Sequence, residues 1–179
     1  GKMHNLKTIG IIRGDELGKN PEESIQSNPT LKLAEFNGMR FKFVSRTDYR
    51  LKKEAFFIEQ LKDEFGDFYL IPEGGTNALA IKGCEEILKA KDQNFDFICA
   101  AMGTGGTLAG LVNSAGENQT VLGFSALKGD FLKAEVDKFT IPGKNWKFID
   151  QYHFGGFAKV DEEIITFIND FKLETNIAL

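Results

Sequence analysis

Residues 98–110 read Ile98-Cys99-Ala100-Ala101-Met102-Gly103-Thr104-Gly105-Gly106-Thr107-Leu108-Ala109-Gly110. An apolar run suited to a buried strand enters a turn of glycine and threonine, and a helix opens behind it. In that order the first backbone N–H groups of the helix and the positive end of its dipole converge on one small volume. Glycine lets the backbone come close to a ligand, and Thr104 and Thr107 add hydroxyl donors. The arrangement suits a phosphate. The spacing is not that of a dinucleotide fingerprint, because Leu108 stands where the third glycine would fall, and no Gly-x-x-x-x-Gly-Lys-Ser/Thr run occurs. A compact phosphate monoester fits better. A tight strand-to-helix turn with no ligand is the structural alternative.

Outward from this loop, strands and helices alternate. Strands are expected at 7–13, 40–45, 68–71, 95–101, 120–126 and 146–149, with one more beginning at 176–179. Helices are expected at 29–37, 49–65, 77–91, 108–114, 131–139 and 161–171. Asn20-Pro21 and Asn28-Pro29 have the form of an N-cap followed by a first-turn proline, Gly38 and Gly66 that of helix stops, and Asp161 that of a cap. Leu51, Ala55, Ile58, Leu61 and Phe65 recur at helical spacing. Such alternation implies an α/β fold with parallel strands covered by helices on both faces, and ligands at the carboxyl ends of the strands. A lobe boundary is expected near Gly66-Asp67.

The chain has 179 residues, a 42% hydrophobic content and a net charge of −4, enough for a real core and poorly suited to a nucleic-acid backbone. Its lysines form no basic block, and no apolar run is long enough to span a bilayer or to serve as a signal sequence. Cys84 and Cys99 make no metal or disulfide pattern and read as small buried hydrophobes, consistent with a cytoplasmic setting. Phenylalanine (17) far outnumbers tyrosine (3) and tryptophan (1), which reads as core packing. His4 reads as solvent exposed.

Two further segments carry chemistry. Pro72-Glu73-Gly74-Gly75-Thr76-Asn77 reads as a turn with Thr76 or Asn77 capping the next helix, and Glu73 is a lone carboxylate able to handle a proton. Tyr152-His153-Phe154-Gly155-Gly156-Phe157-Ala158-Lys159 is an aromatic, glycine-bearing loop whose plainer reading is packing by Phe154 and Phe157.

In order, Ile-Pro-Glu-Gly-Gly-Thr-Asn-Ala-Leu-Ala (71–80), Gly-Thr-Gly-Gly-Thr-Leu-Ala-Gly (103–110) and Tyr-His-Phe-Gly-Gly-Phe-Ala-Lys (152–159) resemble the 1-aminocyclopropane-1-carboxylate deaminase / D-cysteine desulfhydrase family. Those are pyridoxal 5′-phosphate enzymes of the tryptophan-synthase-β fold, fold type II. Thr-Ile-Gly-Ile-Ile-Arg-Gly-Asp-Glu (8–16) resembles part of the family's small domain. The resemblance implies a small domain to residue 67 and a coenzyme-binding domain from residue 68. It implies that Gly103, Thr104, Gly105, Gly106 and Thr107 cradle the coenzyme phosphate, with Tyr152, Phe157, Glu73 and Asn77 as candidates for the substrate pocket. It also implies a small amino-acid substrate, release of a 2-oxo acid and ammonia, and a homodimeric full-length protein.

The family's imine-forming lysine, its Ser-Asn-His motif and its Asp-Pro-x-Tyr-Thr-Gly-Lys segment have no counterpart here. The sequence therefore reads as an interior piece of a longer enzyme, inactive by itself. Phe157 replaces a tyrosine of the family pattern, and the Pro72–Asn77 segment is closer to the desulfhydrase branch. A non-catalytic phosphate- or nucleotide-binding protein using the same loop is the competing reading.

Overall fold

A computed structural model describes residues 1–129, 131–156 and 158–179, with the side chains of Asp15 and Leu17 also left undescribed. The chain divides into two units, Gly1–Tyr69 and Leu70–Leu179.

In the first unit, β1 (Thr8–Arg13) is followed by α1 (Asp15–Gly18), α2 (Pro21–Ser27) and α3 (Pro29–Phe36), and then by β2 (Met39–Val44). β1 and β2 pair in parallel from Thr8↔Met39 to Arg13↔Val44. Asn28 caps α3: its side chain accepts from the Thr30 and Leu31 N–H groups at 3.0 and 3.2 Å. Gly38 follows with φ +86°, in the left-handed region that glycine enters without a Cβ penalty. The helix expected over 49–65 is two helices, α4 (Arg46–Arg50) and α5 (Ala55–Phe65). Ser45 sets the start of α4 by accepting from the Asp48 N–H at 3.0 Å. The chain then tightens into three-residue turns, Leu51 N–H to Asp48 O and Glu54 N–H to Leu51 O, each 2.9 Å. That break rotates α5 so that Phe57 and Leu61 enter the core with Val44, leaving Leu51 exposed.

The second unit holds α6 (Ala78–Cys84), β3 (Phe97–Met102), α7 (Gly106–Ser114), β4 (Thr120–Ser125), α8 (Phe131–Asp137), β5 (Trp146–Ile149) and α9 (Glu162–Thr175). Its sheet has the order β3-β4-β5, all parallel, with Phe97 opposite Thr120 and Val121 opposite Trp146. The 68–71 stretch is not a strand. Among the described residues that sheet offers it no pairing partner, and Tyr69, Leu70 and Ile71 are exposed. The turn at Gly74-Gly75 therefore does not follow a strand. The expected helix over 77–91 stops at Cys84, where Glu86 and Ile87 bond back three residues to Gly83 and Cys84, and a short 3-10 turn follows at Ala90–Asn94. Residues 176–179 do not begin a strand; Asn176 closes α9 in the left-handed conformation, φ +58°.

Helices α7 and α8 cover one face of the sheet. Ile98, Ala100 and Met102 of β3, Val121 of β4, and Trp146 and Phe148 of β5 pack with Leu108, Leu111 and Val112 of α7 and with Leu132 and Val136 of α8. On the other face Phe97, Cys99 and Ala101 are exposed, and α9 buries no residue. The expectation of helices on both faces fails there for these residues. So does the reading of the cysteines as buried: Cys99 is exposed on the open face, and Cys84 is half-buried.

Candidate functional site: two glycine turns closed on each other

β3 delivers the chain to the loop through Met102, which is 2% exposed. Gly105 then turns with φ +87° and ψ −6°, and α7 starts at Gly106. A Cβ on Gly105 would lie 2.4 Å from Cγ2 of Val136, so both conformation and packing require glycine there. Ala109 is the first residue of the helix whose N–H is satisfied, by the Gly105 carbonyl at 2.9 Å. Among the described residues, the N–H groups of Gly105, Gly106, Thr107 and Leu108 have no hydrogen-bond partner. Gly105, Gly106 and Leu108 are buried residues, while Thr104 and Thr107 are exposed. Unmet donors at the positive end of a helix flanked by two hydroxyls make an environment that favours an anion.

The Pro72–Asn77 turn closes onto this loop. It is tightened by the Gly75 N–H donating to the Pro72 carbonyl at 2.8 Å, with Gly74 and Gly75 at φ +75° and +70°. The Thr76 and Thr104 hydroxyl oxygens are 2.7 Å apart. A Cβ on Gly74 would come within 2.4 Å of Thr104, and one on Gly106 within 2.7 Å of Thr76 Oγ1. Each turn thus supplies a glycine against the other's threonine. Behind them α6 and α7 cross at Gly110, where a Cβ would stand 2.4 Å from Cys84 Cβ and 2.8 Å from the Ile81 carbonyl oxygen.

Of the two capping candidates it is Asn77 that caps α6, its side-chain oxygen accepting from the Ala80 N–H at 2.9 Å. Glu73 is exposed on the 3-10 turn. Both glycine turns are legible in the sequence, but the Thr76–Thr104 pair is not. The pair's local signal is a threonine after Gly-Gly in one turn and between glycines in the other.

The third segment follows β5. Tyr152 is exposed, with its ring centroid 6.2 Å from that of Phe124 near the carboxyl end of β4. His153 Nδ1 accepts from the Gly155 N–H at 3.0 Å, and Phe154 and Ala158 hold left-handed backbone at φ +47° and +58°. Phe157 lies outside the described residues. Among the described residues no hydrogen bond joins this segment to the Gly103–Thr107 loop. No group of three or more His, Cys, Asp and Glu side chains able to hold a metal occurs among the described residues. Nor is any described helix long and apolar enough to cross a membrane.

No protein-family model matches the chain. The chain is similar to a protein of Thermotoga maritima named "Putative 1-aminocyclopropane-1-carboxylate deaminase", with 38% identity over 91 residues. The match covers 47% of this chain and 29% of the relative, so the chain spans under a third of that protein's length.

Proposed function

We propose that Gly103, Thr104, Gly105, Gly106 and Thr107 hold the phosphate of pyridoxal 5′-phosphate. The protein to which they belong is then a deaminase or desulfhydrase of a small amino acid, of the D-cysteine or 1-aminocyclopropane-1-carboxylate type. With water consumed, the former gives pyruvate, ammonia and hydrogen sulfide, and the latter 2-oxobutyrate and ammonia. The observation that carries the proposal is the run of N–H groups from Gly105 to Leu108 without a partner among the described residues, at the start of α7. Similarity to the Thermotoga maritima protein supports the choice of phosphate bearer.

Gly103 adds support. Its backbone is not left-handed, and a Cβ built on it meets no atom within 4 Å. Neither conformation nor packing asks for glycine there, whereas a phosphate drawn against the backbone does. Bound pyridoxal phosphate supplies an electron sink for a carbanion at the substrate. The loop's part is positional and electrostatic: amide and hydroxyl donors offset the phosphate charge, and α7 fixes where that end sits. Tyr152, at the carboxyl end of the sheet, and Glu73, Asn77 and Phe157 are proposed as pocket residues. No lysine of this chain stands in a motif matching the covalent anchor.

The test is a titration with pyridoxal 5′-phosphate and with pyridoxine 5′-phosphate, which has no aldehyde to react with surface lysines. Both are expected to raise the melting temperature. Gly103→Ala should cut affinity about tenfold, a loss of about 1.4 kcal/mol, while leaving urea stability within about 0.5 kcal/mol of the parent. Inorganic phosphate or a nucleoside monophosphate binding as tightly would instead support a plain phosphate-binding protein. In an intact enzyme an absorbance band at about 410–430 nm that borohydride abolishes is expected. Pyruvate release from D-cysteine against 2-oxobutyrate release from the cyclopropane substrate separates the two chemistries.

A further inference from the structure

We infer that Thr76 is a positioning residue for the anion site: its hydroxyl donates to Thr104 Oγ1 and so leaves the single Thr104 proton aimed at a bound phosphate. This inference rests on the phosphate reading of the loop. The two oxygens are 2.7 Å apart, a full-strength O–H···O distance. A hydroxyl has one proton and two lone pairs. If Thr104 gave its proton to Thr76, the exposed hydroxyl next to the unpartnered N–H groups would offer a lone pair to an anion, which repels. Donation in the other direction turns Thr104 into a donor and strengthens it, because a hydroxyl that accepts a hydrogen bond donates a stronger one.

The packing holds Thr76 to this task. It is half-buried, and its Oγ1 and Cβ stand where a Cβ on Gly106 would be, at 2.7 and 3.3 Å. Gly74 lies equally close to Thr104, with a Cβ there reaching 2.5 Å from Thr104 Oγ1. Two glycines are thus spent on letting two threonine side chains meet.

The experiment is a double-mutant cycle in the full chain, with pyridoxine 5′-phosphate and inorganic phosphate as probes. Thr104→Val is expected to weaken both about tenfold and Thr76→Val about three- to fivefold. Thr76→Ser, which keeps the hydroxyl, should stay within about twofold of the parent. The double variant should bind no worse than Thr104→Val alone, since Thr76 acts only through Thr104. Melting without ligand should be the same for Thr76→Val and Thr76→Ser, which separates positioning from a structural role. Thr76→Ala carries the same arms should valine pack badly against Gly106. Parent-like affinity of Thr76→Val, or additive losses in the double variant, overturns this inference alone. Failure of the parent chain to bind either probe overturns the phosphate reading and this inference with it.

Discussion

Gly105→Ala is expected to destabilise the second unit by about 2–5 kcal/mol, against a typical total of about 5–15 kcal/mol for a domain. Two independent costs add. The left-handed backbone at φ +87° penalises any Cβ by about 1–2 kcal/mol. The methyl would also lie 2.4 Å from Cγ2 of Val136, a residue only 1% exposed within the core. Overpacking of this kind costs about 1–3 kcal/mol. Trp146 is the only tryptophan of the chain and lies in β5. Its fluorescence in urea therefore reports on the second unit. An unchanged midpoint would mean that α8 is not seated on the loop. The contrast with Gly103→Ala is the useful one: of two glycines in the same turn, backbone conformation and packing demand one and make no demand on the other.

Leu108→Ala is expected to cost about 4–5 kcal/mol, at the upper end for a buried leucine. Leu108 is 1% exposed, and it packs over Gly123 so closely that a Cβ there would be 2.3 Å from its Cδ2. Cutting the isobutyl side chain back to a methyl opens a cavity that glycine on the opposite strand does nothing to fill. For the same reason Gly123→Ala alone should destabilise through collision. Combined with Leu108→Ala it should recover about 1–2 kcal/mol, because the new methyl occupies part of the vacated space. A double variant as unstable as the sum of its parts would show that the two residues do not share that volume.

What was legible in the sequence was local. β5 falls at 146–149 as the apolar run suggests, and β3 and β4 lie within about two residues of the expected bounds. β3 is a continuous apolar run closed by Gly103, while β4 and β5 are short stretches rich in apolar and aromatic residues. Asn28 and Asp161 cap helices as their types suggest, and both glycine turns announced themselves.

What was missed depends on partners far along the chain. Phe68–Ile71 has the composition of a strand, but a strand exists only where another pairs with it. The break between α4 and α5 has neither glycine nor proline to mark it. Its consequence, the packing of Phe57 and Leu61 with Val44, is a tertiary contact that the local sequence does not show. Cys99 alternates onto the sheet face that α7 does not cover, which no single-strand pattern could tell from the face that it does. The Thr76–Thr104 contact follows from the crossing of α6 and α7 at Gly110, a tertiary event with no signature in either turn.

That crossing also sets an order of events. The paired threonines stand 28 positions apart, so their meeting is a long-range contact that local turn formation alone does not make. An anion that grips only after this crossing is made should leave the refolding rate almost untouched and lengthen the native lifetime, whereas faster refolding with ligand would place the crossing in the transition state. An anion held there would behave as a bolt shot after the door has closed, slowing escape without hastening arrival.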